Sequence, residues 1–279
     1  MSALPSGSES EAVRLLRQRI WTYYRENGRS FPWRQTDDPY QIMVSELMLQ
    51  QTQTERVLKK YQRFLERFPD FPALASAPTV EVLRLWSGLG YNRRALGLKR
   101  SAEMICRRYG GRLPEREEQL LSLPMVGPAT AGALQAFVFH RPVAFVETNI
   151  RRVILHFFFP RSEKVPEKAI LTRTAEVLDP EDPRHWYYAM MDYGVYLKNA
   201  VVNPNRRSAV YRRQSPFENS NRQIRGRILA VMTAEGEMEI EKLHGKLDFS
   251  AQRIRKALDQ LVEEGFVLAE SSGRYRIRD

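Results

Sequence analysis

The segment Pro39–Gln53, with the sequence PYQIMVSELMLQQTQ, constrains the fold more than any other part of this chain. Apolar residues occupy so many of its positions that a helix formed here has almost no solvent-facing side and has to be buried. One carboxylate, Glu46, lies in the middle of the apolar run. Because desolvation disfavours the charged form of a carboxyl group, Glu46 is a candidate proton donor near neutral pH. The alternative is that Glu46 and Gln50 form a narrow polar stripe that faces water.

The composition predicts a folded protein with a polyanionic partner. Of the 279 residues, 43% are hydrophobic and 28% are charged, which indicates two or three domains. The formal net charge of +11 and the isoelectric point near 9.9 make nucleic acid the leading candidate. We find no apolar run of about 18 residues and no secretory signal, so we expect no membrane binding. The expected location is the cytoplasm, in association with the nucleoid if the protein is bacterial.

No metal site is predicted. The chain has one cysteine, Cys106, which excludes an intramolecular disulfide and any cysteine-rich site. Its four histidines are scattered and show no zinc-binding spacing.

Residues 115–139 have the order of a helix-hairpin-helix motif. A short helix at about 115–122 precedes the tight turn LPMVG at 123–127, and a second helix at 128–139 follows. Pro128 suits the first position of a helix, and Gly127 allows a ligand to approach the backbone closely. A helix N-terminus of this kind holds DNA phosphates without selecting their sequence, although the segment could equally be a plain turn. The predicted phosphate-binding residues are Met125, Val126, Gly127, Ala129 and Thr130.

Glu147 ends a short apolar segment and precedes a helix that continues to about Phe158. Thr148 or Asn149 is predicted to cap this helix. An acid beside a helix N-terminus is favourable through the helix dipole, so Glu147 by itself is interpreted as part of the cap.

The end of the chain resembles a second, smaller domain. Residues 198–228 are arginine-rich and broken by Pro204 and Pro216, which is typical of a linker. Three helices at about 221–234, 240–247 and 250–264 then precede two strands at about 266–270 and 274–278, in the order of a winged helix. Its third helix is predicted to contact duplex DNA, although a winged helix can instead bind protein. The predicted contacts are Arg253, Arg255 and Lys256.

Five segments, in this order and at these intervals, resemble the adenine DNA glycosylases of the MutY type, which belong to the helix-hairpin-helix superfamily. They are FPWR (31–34), PYQIMVSELMLQQTQ (39–53), LWSGLGY (85–91), LPMVGPATAGA (123–133) and AMMDYG (189–194). The resemblance covers about residues 10 to 200. It implies a mainly α, two-lobed catalytic domain with DNA in its cleft. The implied substrate is duplex DNA in which adenine is mispaired with 8-oxoguanine or guanine.

The resemblance also implies a role for each matching residue. Glu46 corresponds to the general acid that protonates adenine at N7. Glu147 corresponds to the second carboxylate, an aspartate in the family, which stabilises or transiently bonds the sugar cation; glycosidic cleavage requires both functions. Gln51 and Tyr91 correspond to wedges that enter the base stack when the target base is flipped out. The residues expected to line or brace the base pocket are Arg29, Trp33, Arg34 and Asn149.

Three departures from the family modify these expectations. First, Glu147 replaces the aspartate and Thr148 a usual glycine, which favours electrostatic support of the sugar cation over direct bonding. Second, the four cysteine positions of the family's [4Fe-4S] cluster lack cysteine, so no cofactor is expected. Those positions hold Lys198, Asn205, Ser208 and Gln214. Third, a winged helix stands where the family usually has a Nudix-like domain, which leaves the base opposite the adenine undetermined.

The predicted architecture is mainly α. A disordered tail at 1–10 precedes a helix-hairpin-helix glycosylase domain at 11–215, with lobes at about 29–140 and at 11–28 plus 141–215. A small winged-helix-like (α+β) domain follows at 216–279.

The predicted activity is base removal from mispaired duplex DNA by a monomer, without strand cleavage. Relatives resembling endonuclease III attack the sugar with a lysine two residues after the hairpin glycine, where this chain has Ala129. The alternatives are a thymine or uracil mismatch glycosylase and a non-catalytic winged-helix protein that binds DNA.

Overall fold

The structure, a computed structural model, describes residues 11–279. The disordered tail expected at 1–10 lies outside the described residues. Fourteen α-helices occupy the described part of the chain, and none of them is long and apolar enough to cross a membrane. They are α1 (Glu11–Asn27), α2 (Pro39–Leu49), α3 (Thr54–Arg67), α4 (Phe71–Ser76), α5 (Thr79–Trp86), α6 (Arg93–Tyr109), α7 (Glu117–Leu121), α8 (Pro128–Phe139), α9 (Thr148–Phe158), α10 (Glu167–Val177), α11 (Pro183–Ala200), α12 (Asn221–Glu235), α13 (Ile240–Lys246) and α14 (Ala251–Glu263).

Three short strands form an antiparallel sheet near the C-terminus. They are β1 (Met238–Glu239), β2 (Val267–Ala269) and β3 (Arg274–Ile277), and β3 lies between the other two. Met238 pairs with Tyr275, and Val267 pairs with Ile277. The mainly α class with a small C-terminal α+β part is therefore confirmed. The sequence patterns predicted β2 and β3 but missed β1, which is only two residues long.

The described chain divides into two compact units. Unit 1 comprises the chain up to Asp37 together with Gly127–Arg213, and unit 2 comprises Asp38–Val126 with Gln214–Asp279. The division crosses the LPMVG turn between Val126 and Gly127. The expected lobes and the separate domain at 216–279 group the chain differently, because the structure places the C-terminal helices and sheet in unit 2.

Close backbone packing explains why α8 belongs to unit 1. A Cβ atom at Gly132 would lie 2.5 Å from the Cβ atom of Phe145, so the glycine permits this approach. The ring of Phe137 packs 6.0 Å from that of Phe145 and 4.8 Å from that of Tyr188 in α11. These contacts join α8 to residues that follow it in the chain. The expected lobe of residues 29–140 instead grouped α8 with the helices that precede it.

The helix α2 is buried in unit 2, as its apolar sequence predicts. It begins after Asp38, whose carboxylate accepts a hydrogen bond from the Tyr40 backbone N–H at 2.8 Å, and Pro39 fills the first helical position. Seven of its eleven residues are buried, including Ile42, Met43 and Val44. Because α2 is buried, it fixes the positions of the segments immediately before and after it in the chain.

The C-terminal helices and sheet pack on the rest of unit 2 through specific bonds. Arg84 of α5 donates to the Thr233 carbonyl of α12 at 3.3 Å, and the Thr79 N–H donates to the Asp279 carboxylate at 3.0 Å. Glu264, which follows α14, forms ion pairs with Arg93 of α6 at 3.0 Å and with Arg225 of α12 at 2.5 Å. The C-terminal part of the chain is therefore attached to α5 and α6.

Candidate active site

Glu46 lies on α2 at a half-buried position. Its helical neighbours Ser45 and Leu47 are buried, whereas Glu46 keeps part of its side chain accessible. A carboxyl group in this setting is close to apolar side chains and still reachable by a ligand. The helix is buried, and Glu46 and Gln50 are among its partly accessible residues, so the role of Glu46 as a proton donor stays a prediction.

The buried Arg94 of α6 fixes the chain immediately after Glu46. Only 2% of Arg94 is exposed, and one guanidinium nitrogen donates to the carbonyls of Leu47 and Met48, each at 2.9 Å. The same nitrogen donates to the Gln50 carbonyl at 2.5 Å. The last carbonyls of an α-helix have no partner within the helix, so Arg94 satisfies the C-terminus of α2. Burial lowers the pKa of Arg94 to about 10, so this guanidinium remains charged at neutral pH.

Arg94 also binds the turn that carries Tyr91. Its second terminal nitrogen donates to the Leu89 carbonyl at 3.1 Å and to the Gly90 carbonyl at 2.9 Å. It further donates to the Thr52 hydroxyl at 2.9 Å. One buried side chain thus joins the turn after α2 to the turn before α6.

Both predicted wedges lie in left-handed backbone conformations on these two turns. Gln51 has φ +54° and Tyr91 has φ +47°, and both are exposed. Met125, in the LPMVG turn, is a third exposed residue of this kind, with φ +65°. Non-glycine residues seldom adopt this conformation, and they cluster at functional sites where the surrounding structure holds them. The turns themselves were predictable, but their backbone conformations were not.

The first half of the LPMVG turn packs on α6. The Ser101 hydroxyl donates to the Pro124 carbonyl at 2.8 Å, and the Gln50 amide donates to the Met125 carbonyl at 3.5 Å. A Cβ atom at Gly97 would lie 2.0 Å from the Cγ atom of Met125, so the glycine makes room for this methionine. The turns with Gln51, Tyr91 and Met125 are therefore neighbours in unit 2.

The second half of the turn opens α8. Gly127 has an extended backbone with φ −94° and ψ 180°, which any residue can adopt. No atom would lie within 4 Å of a Cβ atom at this position, so the glycine leaves open space beside the helix N-terminus. Ala129 and Thr130 lie in the first turn of α8, at the positive end of the helix dipole. The Val126 N–H, by contrast, donates to the Leu123 carbonyl at 3.1 Å. Its contact with phosphate, like those of the other four residues, stays a prediction.

Glu147 is the N-cap residue of α9. Its Oε1 atom accepts hydrogen bonds from the N–H groups of Asn149 at 2.6 Å and Ile150 at 2.8 Å. The interpretation of Glu147 as part of the cap is therefore confirmed, and the predicted capping by Thr148 or Asn149 is wrong. Burial raises the pKa of the Glu147 carboxyl, and the two backbone hydrogen bonds and the charges of Arg152 and Arg151 oppose that rise.

Asn149 has both ends of its amide bound near the cap. Its nitrogen donates to Glu147 Oε2 at 3.3 Å, and its oxygen accepts from Arg152 at 2.7 Å. Arg152 also donates to the Gly194 carbonyl of α11 at 2.6 Å, and a Cβ atom at Gly194 would lie 2.6 Å from Asn149 Cβ. Asn149 therefore orients the Glu147 carboxylate through packing against α11.

Asp192, which lies two residues before Gly194, binds the two arginines of the predicted base pocket. Arg34 forms a two-point hydrogen bond with the Asp192 carboxylate at 2.8 and 2.9 Å, and Arg29 contacts it through its backbone N–H and its Nε, each at 2.8 Å. The Asp192 side chain is 1% exposed, and those of Arg34 and Arg29 are 8% and 34% exposed. Arg34 therefore braces the site, whereas Arg29 also reaches a surface pocket of about 390 Å³ that Asp192 lines. Trp33 is 4% exposed and stacks on Phe31.

Asp192 is one of the residues that the sequence analysis missed. It lies in the AMMDYG segment, among the buried neighbours Met190 and Tyr193 of α11. A lone acid in an apolar helix was the observation that identified Glu46, and the same observation applied to α11 would have found Asp192.

The predicted winged-helix contacts all lie on one helix, α14. Arg253, Arg255 and Lys256 are exposed. Arg253 donates to the Asn219 carbonyl, and its guanidinium lies 5.6 Å from the centre of the Phe249 ring. Exposed cations on the third helix agree with the expected geometry, and their contact with DNA stays a prediction.

The residues at the family's cluster-ligand positions do not fit a [4Fe-4S] cluster. A cluster requires thiolate ligands, and these positions supply an amine, two amides and a hydroxyl. Hydrogen bonds hold this part of unit 1 instead: Asn205 donates to the Thr148 carbonyl at 3.1 Å, and Arg207 donates to the Leu155 carbonyl at 2.9 Å. Nor do residues 11–279 contain any group of three or more His, Cys, Asp or Glu side chains that could hold a metal ion.

Comparison with known proteins places these residues in a known context. The HhH-GPD superfamily of base excision DNA repair proteins matches residues 44–178, a range that contains Glu46 and Glu147. The chain is 31% identical to the adenine DNA glycosylase of Mycobacterium tuberculosis over 303 residues, which cover 98% of this chain and 97% of that protein. It is 34% identical to the adenine DNA glycosylase of Buchnera aphidicola over 164 residues, and this match spans 58% of this chain and 47% of that protein.

A solved structure has a similar fold. The thermostable thymine-DNA glycosylase aligns with a TM-score of 0.61 and 27% sequence identity, over 67% of this chain and 88% of that chain. The alignments, the helix-hairpin-helix segment and the two carboxylates agree with one another. The chain therefore belongs to the HhH-GPD superfamily of base excision DNA repair proteins, as a DNA glycosylase of the MutY type.

Proposed function

We propose that this DNA glycosylase removes adenine mispaired with 8-oxoguanine or guanine from duplex DNA, and that it does not cleave the strand. The observation that carries the proposal is the retention of both carboxylates, Glu46 on α2 and Glu147 at the cap of α9. The near full-length relative from Mycobacterium tuberculosis carries the name adenine DNA glycosylase, which supports adenine as the target base.

Glu46 acts as the general acid in this proposal. Protonation of adenine at N7 allows the base to leave with the electron pair of the bond between its N9 and the sugar C1′. The sugar becomes an oxocarbenium-like cation, water adds to C1′ and loses a proton, and an abasic site remains. A half-buried carboxyl on an apolar helix suits the donation of this proton.

Glu147 acts as the anionic partner of the sugar cation. Its cap hydrogen bonds fix the direction of the carboxylate, and Asn149 holds the second oxygen. A fixed anion stabilises a developing positive charge without reorganisation. The additional methylene relative to the family aspartate favours electrostatic stabilisation over a covalent bond to the sugar.

The DNA contacts follow from the exposed turns of unit 2 and the N-terminus of α8. Gln51 and Tyr91 act as wedges, and the LPMVG turn with the first turn of α8 binds phosphate through Met125, Val126, Gly127, Ala129 and Thr130. The α14 cations contact the duplex outside the mispair. Ala129 cannot form a Schiff base, so the product keeps an intact strand, and a monomer without an iron-sulfur cluster performs the reaction.

Single-turnover excision on a panel of labelled duplexes tests the proposal. The duplexes carry A opposite 8-oxoguanine, A opposite G, T opposite G, U opposite G and ordinary A opposite T, and alkali reveals abasic sites. We expect excision of adenine from the mispairs alone, and the loss of at least about a hundredfold in rate for Glu46→Gln with duplex binding retained.

The second candidate function is removal of thymine or uracil opposite guanine. The structural similarity to a thermostable thymine-DNA glycosylase favours it over other base classes. Excision from the T or U duplexes, with adenine left intact, would replace our proposal by this one. A borohydride-trapped adduct that depends on a lysine would contradict the absence of strand cleavage.

A further inference from the structure

The C-terminal part of the chain holds the hydroxyl group of Tyr91. Arg222, in the first turn of α12, donates a hydrogen bond to this hydroxyl at 2.7 Å. The Gln214 side-chain amide donates to the same oxygen. The guanidinium of Arg222 also lies 5.7 Å from the centre of the Tyr91 ring, a cation–π distance. All three residues belong to unit 2.

Arg222 is itself fixed by its surroundings. Its second terminal nitrogen donates to the Ser215 carbonyl at 2.7 Å, so it connects the linker to Tyr91. Arg222 lies on α12, whose N-cap is Ser220 and which accepts a hydrogen bond from Arg84 of α5. Glu264 connects α12 to α6, because it pairs with Arg225 of α12 and with Arg93 of α6. The position of α12 therefore determines where the donor groups of Arg222 lie.

The opposite end of Tyr91 is fixed independently. The Trp86 indole N–H donates to the Gly90 carbonyl at 3.1 Å, and Arg94 binds the carbonyls of Leu89 and Gly90. The backbone of Tyr91 stays in its left-handed conformation, φ +47°, because these bonds hold the turn. Backbone bonds alone leave the ring free to change rotamer, whereas bonds to the hydroxyl restrict that rotation.

We propose that Arg222 and Gln214 are positioning residues for the Tyr91 wedge, so that the C-terminal part of the chain takes part in base excision through Tyr91. The inference rests on the proposed function, because Tyr91 acts as a wedge only if the protein flips a base. A wedge has to keep its ring directed into the base stack while the displaced base tends to restack. Two donors on the hydroxyl provide this restraint, one from the linker and one from α12.

Single-turnover excision at saturating enzyme measures the effect on the reaction step. We expect Arg222→Ala to slow excision of adenine opposite 8-oxoguanine about tenfold, since a hydrogen bond from a charged donor is lost. Arg222→Lys should recover part of the rate because lysine can donate to the same hydroxyl. Tyr91→Phe, which keeps the ring and removes the hydroxyl, should slow excision by a similar factor.

The double variant Tyr91→Phe, Arg222→Ala separates positioning from a general effect of charge. If Arg222 acts through the hydroxyl, the double variant is no slower than the slower single variant, because both changes remove the same hydrogen bond between Arg222 and Tyr91. Arg227→Ala is the matched control, since Arg227 is an exposed arginine on the same helix. We expect this control to leave the saturated rate unchanged, and thermal unfolding checks that each variant is folded.

A fluorescence measurement tests the wedge without bond cleavage. In a Glu46→Gln background, a duplex with 2-aminopurine beside the mispaired adenine reports unstacking as a rise in fluorescence on binding. Arg222→Ala and Tyr91→Phe should each reduce that rise, and Arg227→Ala should not. Because this signal needs no excision, a rise in the Glu46→Gln protein tests Arg222 even if adenine is not cleaved. No rise on any mispaired duplex would overturn the wedge role of Tyr91 and the inference with it.

Two results would overturn the inference. Equal rates and equal fluorescence for the parent and Arg222→Ala would mean that the contact has no role in placing Tyr91. A faster rate for Arg222→Ala would mean that the contact restrains Tyr91 instead of presenting it.

Discussion

The two units position their functional residues by different means. In unit 2, Arg94 holds the turns of Gln51 and Tyr91 through backbone carbonyls, and these two predicted wedges have left-handed backbones. In unit 1, the arginines of the predicted pocket are held by a side-chain carboxylate, Asp192, and Glu147 is held at a helix N-terminus. Backbone anchoring sets the path of the chain, whereas charge pairing sets the direction of side chains. Substitutions of the anchoring residues should therefore lower the free energy of unfolding more in unit 2 than in unit 1. In unit 1, they should mainly alter the charge around the predicted pocket.

The largest expected effect is that of Arg94→Met in unit 2. This change keeps most of the apolar stem and removes the donors for five carbonyls and the Thr52 hydroxyl, which leaves several buried acceptors without a partner. We expect the free energy of unfolding to fall by about 4 kcal/mol in denaturant titrations.

The neighbouring Arg93 provides the control for this prediction. Its side chain is 68% exposed and forms a surface ion pair with Glu264. Arg93→Met should cost less than about 1 kcal/mol, since exposed ion pairs contribute little. Similar losses for the two variants would show that charge, and not the backbone bonds, is what matters at Arg94.

Asp192→Asn is the corresponding change in unit 1, with a smaller expected cost. An asparagine oxygen can still accept from one arginine, but Arg34 loses its charged partner in a largely buried place. We expect a loss of about 3 kcal/mol in the free energy of unfolding, because an arginine charge is left buried and uncompensated. A loss larger than that of Arg94→Met would reverse the ranking of the two units. Raising the salt concentration should change the stability of Asp192→Asn more than that of Arg94→Met.

The third prediction concerns the pH dependence that Glu147 gives to unit 1. Its folded-state pKa is raised by burial, so on acidification it takes up a proton at a higher pH than an ordinary glutamate. If the ionised form supports the sugar cation as proposed, the excision rate should fall as the pH decreases through that raised pKa. Stability has the opposite sign: the ionised group costs free energy at neutral pH, and the cost disappears as the pH falls.

Single-turnover rates between about pH 5 and pH 8 measure this dependence on activity. Glu147→Asp should keep activity and shift the acidic limb, whereas Glu147→Gln should abolish the limb together with most of the rate. An acidic limb that is identical in the parent and in Glu147→Gln would assign it to another group. Denaturant titrations over the same pH range provide the matching stability curve.

The sequence predicted the elements well where the relevant chemistry is local. The helix Pro128–Phe139 begins and ends where the sequence analysis placed it, because Pro128 suits its first position. The short helix Phe71–Ser76 was missed, since its second residue is a proline and its cap, Asp70, has to accept from the Ala73 N–H to start it. A helix of only six residues shows too little apolar periodicity to be predicted from the sequence.

What could not be predicted depends on contacts between distant residues. Glu46 and Glu147 were found because motifs surround them. Arg94 was not found, since an arginine in a basic helix usually faces water, and its acceptors lie more than 40 residues away at Leu47 and Gln50. The same holds for Arg222 and Tyr91, which are 131 residues apart in the chain. The geometry of the predicted site therefore depends on polar contacts that periodicity does not encode.

The smallest expected effect is that of Gln51→Gly, which separates backbone strain from function in unit 2. Gln51 is exposed and has φ +54°, a conformation that glycine adopts without steric cost. The relief of strain is partly offset by the greater freedom of glycine in the unfolded chain, so we expect a gain of about 0.5 kcal/mol in the free energy of unfolding. The excision rate should fall at the same time, since the wedge side chain is gone. Gly88→Ala, which places a side chain at φ +91° in the turn of Tyr91, should do the reverse and lower stability. If Gln51→Gly instead lowers stability, the Gln51 side chain contributes to folding, and the turn after α2 is not a strained element kept for its contact with DNA.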